Sequence, residues 1–261
     1  MTSRDGTAIA FETAGTGSPV ILVDGAMCFR GFGPMRAIAE QLRSDHTVLL
    51  YDRRGRGESG DTPPYALARE VEDVAALVAR VGGPVQIFGM SSGGAVALHT
   101  ATALGNSVSH VAVFDVPFMP APALPAAAAY TEELTTALAT DDRDAAVAAF
   151  LRRVGTPEPA IKHIRTSAGW PAMTAIAPTL RYDDLLVGGG VPASLAGSLD
   201  VPVLGLAGGE SPGFLRHGSE RIAALAPRGR FELIEGVGHD VPAERLAPRL
   251  HAFFGEQDDG E

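Results

Sequence analysis

Short, continuously apolar runs that alternate with longer segments of helical periodicity constrain this chain more than any other feature. "SPVILVDG" (18–25) is an apolar run closed by glycine, the pattern of a strand buried on both faces. "PMRAIAEQLRS" (34–44) follows with apolar residues at helical spacing and Pro34 suited to a first turn. "HTVLLYD" (46–52) returns to strand character, and "ALAREVEDVAALVARVGG" (66–83) reads as a helix stopped by glycines. The rhythm continues through "PVQIFGM" (84–90), "SSGGAVALHTATALG" (91–105) and "SVSHVAVFD" (107–115). Such alternation predicts a parallel sheet with helices on both faces.

Between residues 117 and 198 the rhythm stops. The segment opens on "PFMPAPALPAAAA" and runs through helix-like stretches without a convincing strand, so it reads as a mostly helical insertion. Strand and helix then return as "VPVLGLAGG" (201–209), a helix near 213–226, "GRFELIEG" (229–236) and "PAERLAPRLHAFF" (242–254). The expected organisation is a core of residues 1–116 and 199–261 with a helical insertion at 117–198. No internal repeat is present, and the polar tail "GEQDDGE" is expected to fray.

Charge and composition narrow the function. The 261 residues can bury a sizeable core, and the net charge of −10 argues against nucleic-acid or anionic-membrane partners, which demand clustered cations. One local exception is "DRRGRGES" (52–59), where arginines among glycines could cradle a phosphate; the interleaved Asp52 and Glu58 favour a structural or solvated loop. Arginine supplies nearly all the positive charge, Lys162 being the single lysine, and with the abundant Ala, Gly and Pro this matches a GC-rich bacterial gene. The start "MTSRDGTAIAFETAG" lacks a basic stretch followed by an apolar run, and no segment holds about 18 consecutive apolar residues, so the chain reads as soluble and cytoplasmic. Cys28, the only cysteine, leaves no internal disulfide to form. Composition leaves the choice between monomer and homodimer open.

The chemistry concentrates in "GMSSGG" (89–94), at an expected strand end and helix start. In a sharp strand-to-helix turn, the residues two before and two after a nucleophile must be small to avoid collision. Ser91 has Gly89 and Gly93 there, whereas Ser92 would have Met90 and Gly94. Met90 is too bulky, so Ser91 is the candidate nucleophile. Ser92 then offers a backbone N–H at the helix start, where the dipole favours a developing oxyanion. A purely structural alternative is that Ser91 caps the helix.

With these features the sequence resembles the α/β-hydrolase superfamily, in its serine-nucleophile branch, over nearly the whole chain. Beside the serine turn, "LVDGAM" (22–27) resembles the family's HG turn, with Asp24 where a histidine is usual, and "YDRRGRGESG" resembles its DxRGxGxS loop. The resemblance implies a mostly parallel central sheet flanked by helices, with a helical cap inserted after the sixth strand. It also implies a second oxyanion N–H from Ala26 and a base at His239, in "EGVGHDVP" between the last strand and the last helix. The family's usual acid position falls on Ser211 in "GGESPG", which leaves Asp115 and Glu210 as candidates. Asp115 ends a strand in "AVFDVPF", as in a group of small actinobacterial hydrolases with a carboxylate before "PPF"; Glu210 lies one residue early in the usual turn. The rigid strand end favours Asp115, with Glu210 as the alternative acid.

The expected chemistry is hydrolysis of small-molecule esters, lactones or thioesters through an acyl-enzyme. A triad-bearing ligand receptor or a non-hydrolytic biosynthetic catalyst on the same fold is the alternative. No HExxH, CxxC or post-strand GxGxxG is present, so neither a metal nor another cofactor is expected. Met27, Met90, Phe118, Met119 and Trp170 are the expected apolar lining of the pocket.

Overall fold

In the computed structural model, which describes residues 1–256, the apolar runs become the strands of one sheet. The frayed tail expected from sequence falls mostly on 257–261, outside the described residues. The strands are β1 (Phe11–Ala14), β2 (Ser18–Val23), β3 (His46–Tyr51), β4 (Val85–Met90), β5 (Val108–Phe114), β6 (Val203–Gly208) and β7 (Gly229–Ile234). They lie in the order β1-β3-β2-β4-β5-β6-β7. From β2 to β7 every pairing is parallel, while β1 joins β3 antiparallel in the register Phe11↔Tyr51. β4 and β6 are buried along their whole length; the one polar side chain among them, Gln86, donates from Nε2 to Phe254 O at 2.7 Å.

Helices α1 (Met35–Leu42), α2 (Leu67–Val81) and α3 (Ser92–Leu104) fill the first crossovers. After β5 come α4 (Leu124–Ala139), α5 (Arg143–Arg153), α6 (Glu158–Ile164), α7 (Trp170–Ala175), α8 (Leu180–Val187) and α9 (Ala193–Gly197). The chain then closes with α10 (Gly213–Leu225) and α11 (Ala243–Phe254). Because successive strand residues face opposite ways, β2 sends Ile21 and Val23 to one apolar layer and Val20 and Leu22 to the other. The first layer holds Val74 and Leu77 of α2 and Val96 of α3; the second holds Ile38 of α1 and Leu246 and Leu250 of α11. A third cluster, built on Leu134, Val147, Ile161 and Leu180, gives helices α4 to α8 an apolar core of their own.

Two details depart from the sequence reading. The helical segment was expected after a sixth strand but follows the fifth in chain order, because the first ten residues contribute only the isolated bridge Thr2↔Ala8 instead of a strand. β1 was not anticipated, since its four residues, FETA, are too few and too polar to show a period.

Parallel strands aim their carboxyl ends at one edge of the sheet, and Asp24, Ser91, Asp115 and His239 all follow such ends, where open α/β sheets form their clefts. The elbow reaches that edge only because α3 starts against bare backbone. A Cβ on Gly93 would stand 2.2 Å from Val23 O and 2.6 Å from Asp24 O, and one on Gly89 would stand 2.4 Å from Gly93 O. Gly93→Ala should therefore lower the thermal midpoint by about 5–10 °C, corresponding to roughly 3 kcal/mol. Gly83→Ala, where an added Cβ meets nothing within 4 Å, should stay within about 0.5 kcal/mol of the parent. Differential scanning calorimetry of both variants checks this, and equal midpoints would show that the first turn of α3 yields freely.

Candidate active site

Ser91 sits between β4 and α3 with φ 53° and ψ −129°, a backbone strained for any residue with a side chain. Hydrogen bonds on both sides hold it there: its N–H donates to Phe114 O at 2.9 Å, and its carbonyl accepts from Gly94 N at 2.9 Å. Although it occupies the N-cap position of α3, its side chain makes no capping bond, so the structural alternative for this serine has no support. The neighbouring Ser92 differs completely. It is 1% exposed, and its hydroxyl donates to Asp183 Oδ1 at 2.7 Å and accepts from Arg53 Nη1 at 3.2 Å. Sequence reasoning had given Ser92 only a backbone role.

Asp115, also at positive φ (51°), follows β5 and is fully buried. Its Oδ2 lies 3.1 Å from His239 Nδ1 and accepts from the Ser211 hydroxyl at 2.5 Å, while Oδ1 accepts from Gly208 N at 3.3 Å. Three donors thus satisfy a carboxylate that burial would otherwise penalise. The His239 ring also stacks on Phe114, with centroids 6.2 Å apart. With its Nδ1 proton toward Asp115, the imidazole keeps Nε2 free to accept. Glu210 is exposed, its backbone N–H bonded to Val237 O, and among the described residues it has no contact with His239. Ser211 stands where the family's acid was expected and instead steadies Asp115.

Two cavities meet at Ser91. One of about 490 Å³ is lined by Gly25, Met90, His239 and Val241, and a narrower one of about 60 Å³ by Ser92, Met119, Tyr130 and Arg153; both share Ala26, Ser91, Phe150 and Val154. Ser91 and His239 face the larger chamber together, without a hydrogen bond between them among the described residues. The N–H of Ser92, in the first turn of α3, has no intrahelical partner, and the Gly25–Ala26 turn passes so close that a Cβ on Gly25 would be 2.9 Å from Ser91 Cβ. Both amides therefore border the space beside Ser91.

Of the expected lining, Met90 and Met119 face these chambers, and three residues do not. Phe118, 1% exposed, packs into the sheet–helix core with Val116. Met27 turns into the apolar cluster of the inserted helices. Trp170 lies on the flank of that cluster, its Nε1 donating to Asp144 Oδ1 at 2.9 Å and Arg165 resting 5.8 Å from its ring.

Sequence reasoning missed the support beneath the site. The loop "DRRGRGES", read as structural or solvated, is structural, with Arg53, Arg54 and Arg56 buried. Arg53 pairs with Glu70 through Nε (3.0 Å) and Nη2 (2.6 Å), and its Nη1 reaches Asp183 Oδ1 (2.9 Å) and Asp24 O (3.2 Å). Arg56 donates to both oxygens of Asp183 at 2.9 and 2.7 Å and to Gly25 O at 2.6 Å. Burial alone would raise the Asp183 pKa, yet Arg56, Arg53 and the Ser92 hydroxyl hold it below the ordinary value. Three arginines packed between glycines in an acidic chain were the available signal. The partner that Arg53 and Arg56 share on α8, more than a hundred residues away, gave none.

Comparison with known proteins places this geometry in context. Residues 15–249 match the model of a family described as the alpha/beta hydrolase family. A crystal structure of an alpha/beta hydrolase from Sphaerobacter thermophilus is 38% identical, superposes with a TM-score of 0.86 and covers 97% of this chain and 99% of its own. Among curated proteins, a proline iminopeptidase from Pestalotiopsis fici is 35% identical over 86 residues, which is 32% of this chain and 28% of the relative. A pimeloyl-[acyl-carrier protein] methyl ester esterase from Xylella fastidiosa is 38% identical over 95 residues, 36% of this chain and 34% of the relative. The chain thus matches about a third of the length of these curated relatives.

Asp24 makes the turn after β2 sensitive to pH. It is 2% exposed, its Oδ1 has no hydrogen-bond partner among the described residues, and burial pushes its carboxyl up to about 7, against a weaker downward pull from Arg56 and Arg53. Below its ordinary value of 3.8 the group is neutral in both folded and unfolded chains. As pH rises toward 7 the unfolded chain releases this proton first, so the folded state loses stability across that window. Asp24→Asn removes the ionisation, and its stability advantage over the parent should grow by on the order of 2 kcal/mol between about pH 5 and 8. Urea denaturation of both proteins across that range measures the difference, and parallel pH profiles would show that Asp24 does not titrate there.

Proposed function

The chain belongs to the alpha/beta hydrolase family, and on that premise we propose that it is a serine hydrolase of small-molecule esters, lactones or thioesters. The observation that carries this reading is the placement of Ser91, Asp115 and His239 at three strand ends, with the imidazole held on the Asp115 carboxylate at 3.1 Å and sharing one chamber with Ser91. His239 Nε2 takes the Ser91 proton as Oγ attacks the carbonyl carbon. The amides of Ala26 and Ser92 receive the charge that develops on the carbonyl oxygen. The imidazolium, stabilised by Asp115, then protonates the leaving group, and water activated by the same imidazole releases the acyl group from Ser91. Helices α4 to α9 act as a cap over the chambers, since Tyr130, Phe150 and Arg153 from that segment line them.

A fluorophosphonate probe together with p-nitrophenyl acetate tests the assignment. Wild type should be labelled and turn over, and Ser91→Ala should do neither. Ser92→Ala keeps its backbone N–H but loses two hydrogen bonds, so it should stay within about tenfold in kcat while losing about 1–2 kcal/mol of stability. Labelling and turnover retained in Ser91→Ala would place the nucleophile elsewhere, loss of both in Ser92→Ala as complete as in Ser91→Ala would overturn the choice between the two serines, and labelling without turnover would favour a receptor or a non-hydrolytic catalyst.

The acid is tested separately. Asp115→Asn, which keeps shape but removes charge, should cost up to about 10⁴ in kcat. Glu210→Gln should remain within about tenfold of wild type. Steady-state kinetics with folding checked by circular dichroism decides, and the reverse order would return the acid to the turn after β6.

A further inference from the structure

Arg153, at the end of α5, is a half-buried cation that the proposed mechanism leaves unused. It lines the narrow chamber together with Ser91 and the two amides assigned to the oxyanion. Other arginines near it are neutralised: Arg53 and Arg56 share Asp183, and the adjacent Arg152 pairs with Glu133 at 2.5 Å and Glu158 at 2.8 Å. Among the described residues no carboxylate lies within 4.0 Å of the Arg153 guanidinium. It is held instead by soft contacts: Nη2 meets Met119 Sδ at 2.8 Å, and the group rests 5.9 Å from the Tyr130 ring and 5.6 Å from the Phe214 ring. Ring faces and a thioether fix a guanidinium in place without cancelling its charge.

Two carboxyls face the same chamber. Asp183 is occupied by Arg53, Arg56 and Ser92. Asp184 stands beyond ion-pair distance of Arg153; burial raises its carboxyl above the ordinary value, against a downward pull from the Thr131 hydroxyl and from Arg153. Among the described residues Arg153 is therefore the one cation lining this chamber that no carboxylate pairs.

The position of His239 orients a substrate. It lines the larger chamber and not the narrow one. As the group that protonates the leaving alcohol, it requires that alcohol on its own side of Ser91, which leaves the acyl part in the narrow chamber. At about 60 Å³ that space accepts a chain of only a few atoms.

We propose that the narrow chamber is an anion subsite with Arg153 as its cation, and that the preferred substrates are esters of short acids bearing a second, free carboxylate. This rests on the serine-hydrolase reading above. A charge-assisted guanidinium–carboxylate contact formed in a partly buried chamber is worth a preference of about 10- to 100-fold.

The test compares kcat/KM for monoethyl glutarate, its uncharged isostere ethyl glutaramate, and the cationic ethyl 4-aminobutyrate, followed by proton release. Wild type should prefer the glutarate ester to the glutaramate by about 10- to 100-fold. Arg153→Met, with folding confirmed by circular dichroism, should bring that ratio close to one, and Arg153→Lys should restore part of it. Equal rates in wild type, a preference for the aminobutyrate, or a ratio unchanged in Arg153→Met would each overturn the subsite. If p-nitrophenyl acetate turnover and fluorophosphonate labelling depend on Ser91 while the glutarate preference is absent, only this inference fails. If neither depends on Ser91, the hydrolase reading fails and takes the subsite with it.

Discussion

One carboxylate, Asp183, receives two guanidinium groups and a hydroxyl in a place without solvent, and the upper edge of the molecule is organised around it. Through Arg56 it reaches the carbonyl of Gly25 in the turn after β2; through Arg53 it reaches Asp24 O and Glu70 of α2; through Ser92 it reaches the first turn of α3. Buried ions persist only when each is paired and its remaining hydrogen-bonding positions are filled, so these segments can take up only the arrangement that satisfies all of them at once. This core of charge thus helps to fix the Ala26 and Ser92 amides relative to one another, beside the close backbone packing at Gly93. The inserted helices are tied into the same core, since Asp183 belongs to α8.

Sheet geometry explains how the proposed acid can move without disturbing the base. β5 and β6 are hydrogen-bonded neighbours, and Asp115 N–H continues their ladder to Leu206 O at 3.0 Å. Adjacent strand ends lie about 4.8 Å apart, so side chains from either can approach one imidazole. Here β5 supplies the carboxylate, and the turn after β6 supplies Ser211 and Gly208 N as its hydrogen-bond donors.

The sheet, its crossover helices and the Ser91 elbow were legible in sequence because each depends on local pattern: unbroken apolar runs, helical spacing, and glycines two residues either side of one serine. β1 escaped notice because four residues carry no period, and it is held in place by β3, which follows some thirty-five residues later. The arginine loop was visible as a motif, but its burial was not, since that depends on Asp183 arriving from α8. The lining was misjudged for a related reason. Met27 and Phe118 are apolar and close in sequence to Ala26 and Asp115, and Trp170 is a large apolar side chain of the inserted helices, yet side-chain direction is fixed by the packing of helices whose arrangement no local period encodes. Asp115 and Glu210 could not be separated by spacing alone, because the difference between them is which one meets the imidazole in three dimensions.

Trp170 is the only tryptophan in the chain, and it lies on the outer flank of the inserted helices, bonded to Asp144 and covered by Arg165. Indole emission from this protein is therefore a local signal. It reports whether α5, α6 and α7 are packed together, while the sheet beneath them is silent at that wavelength and is read by far-ultraviolet dichroism. Far-ultraviolet dichroism sums the helices and strands of both layers, so an indole transition that precedes the dichroic one measures how far the upper layer can loosen while the rest remains folded.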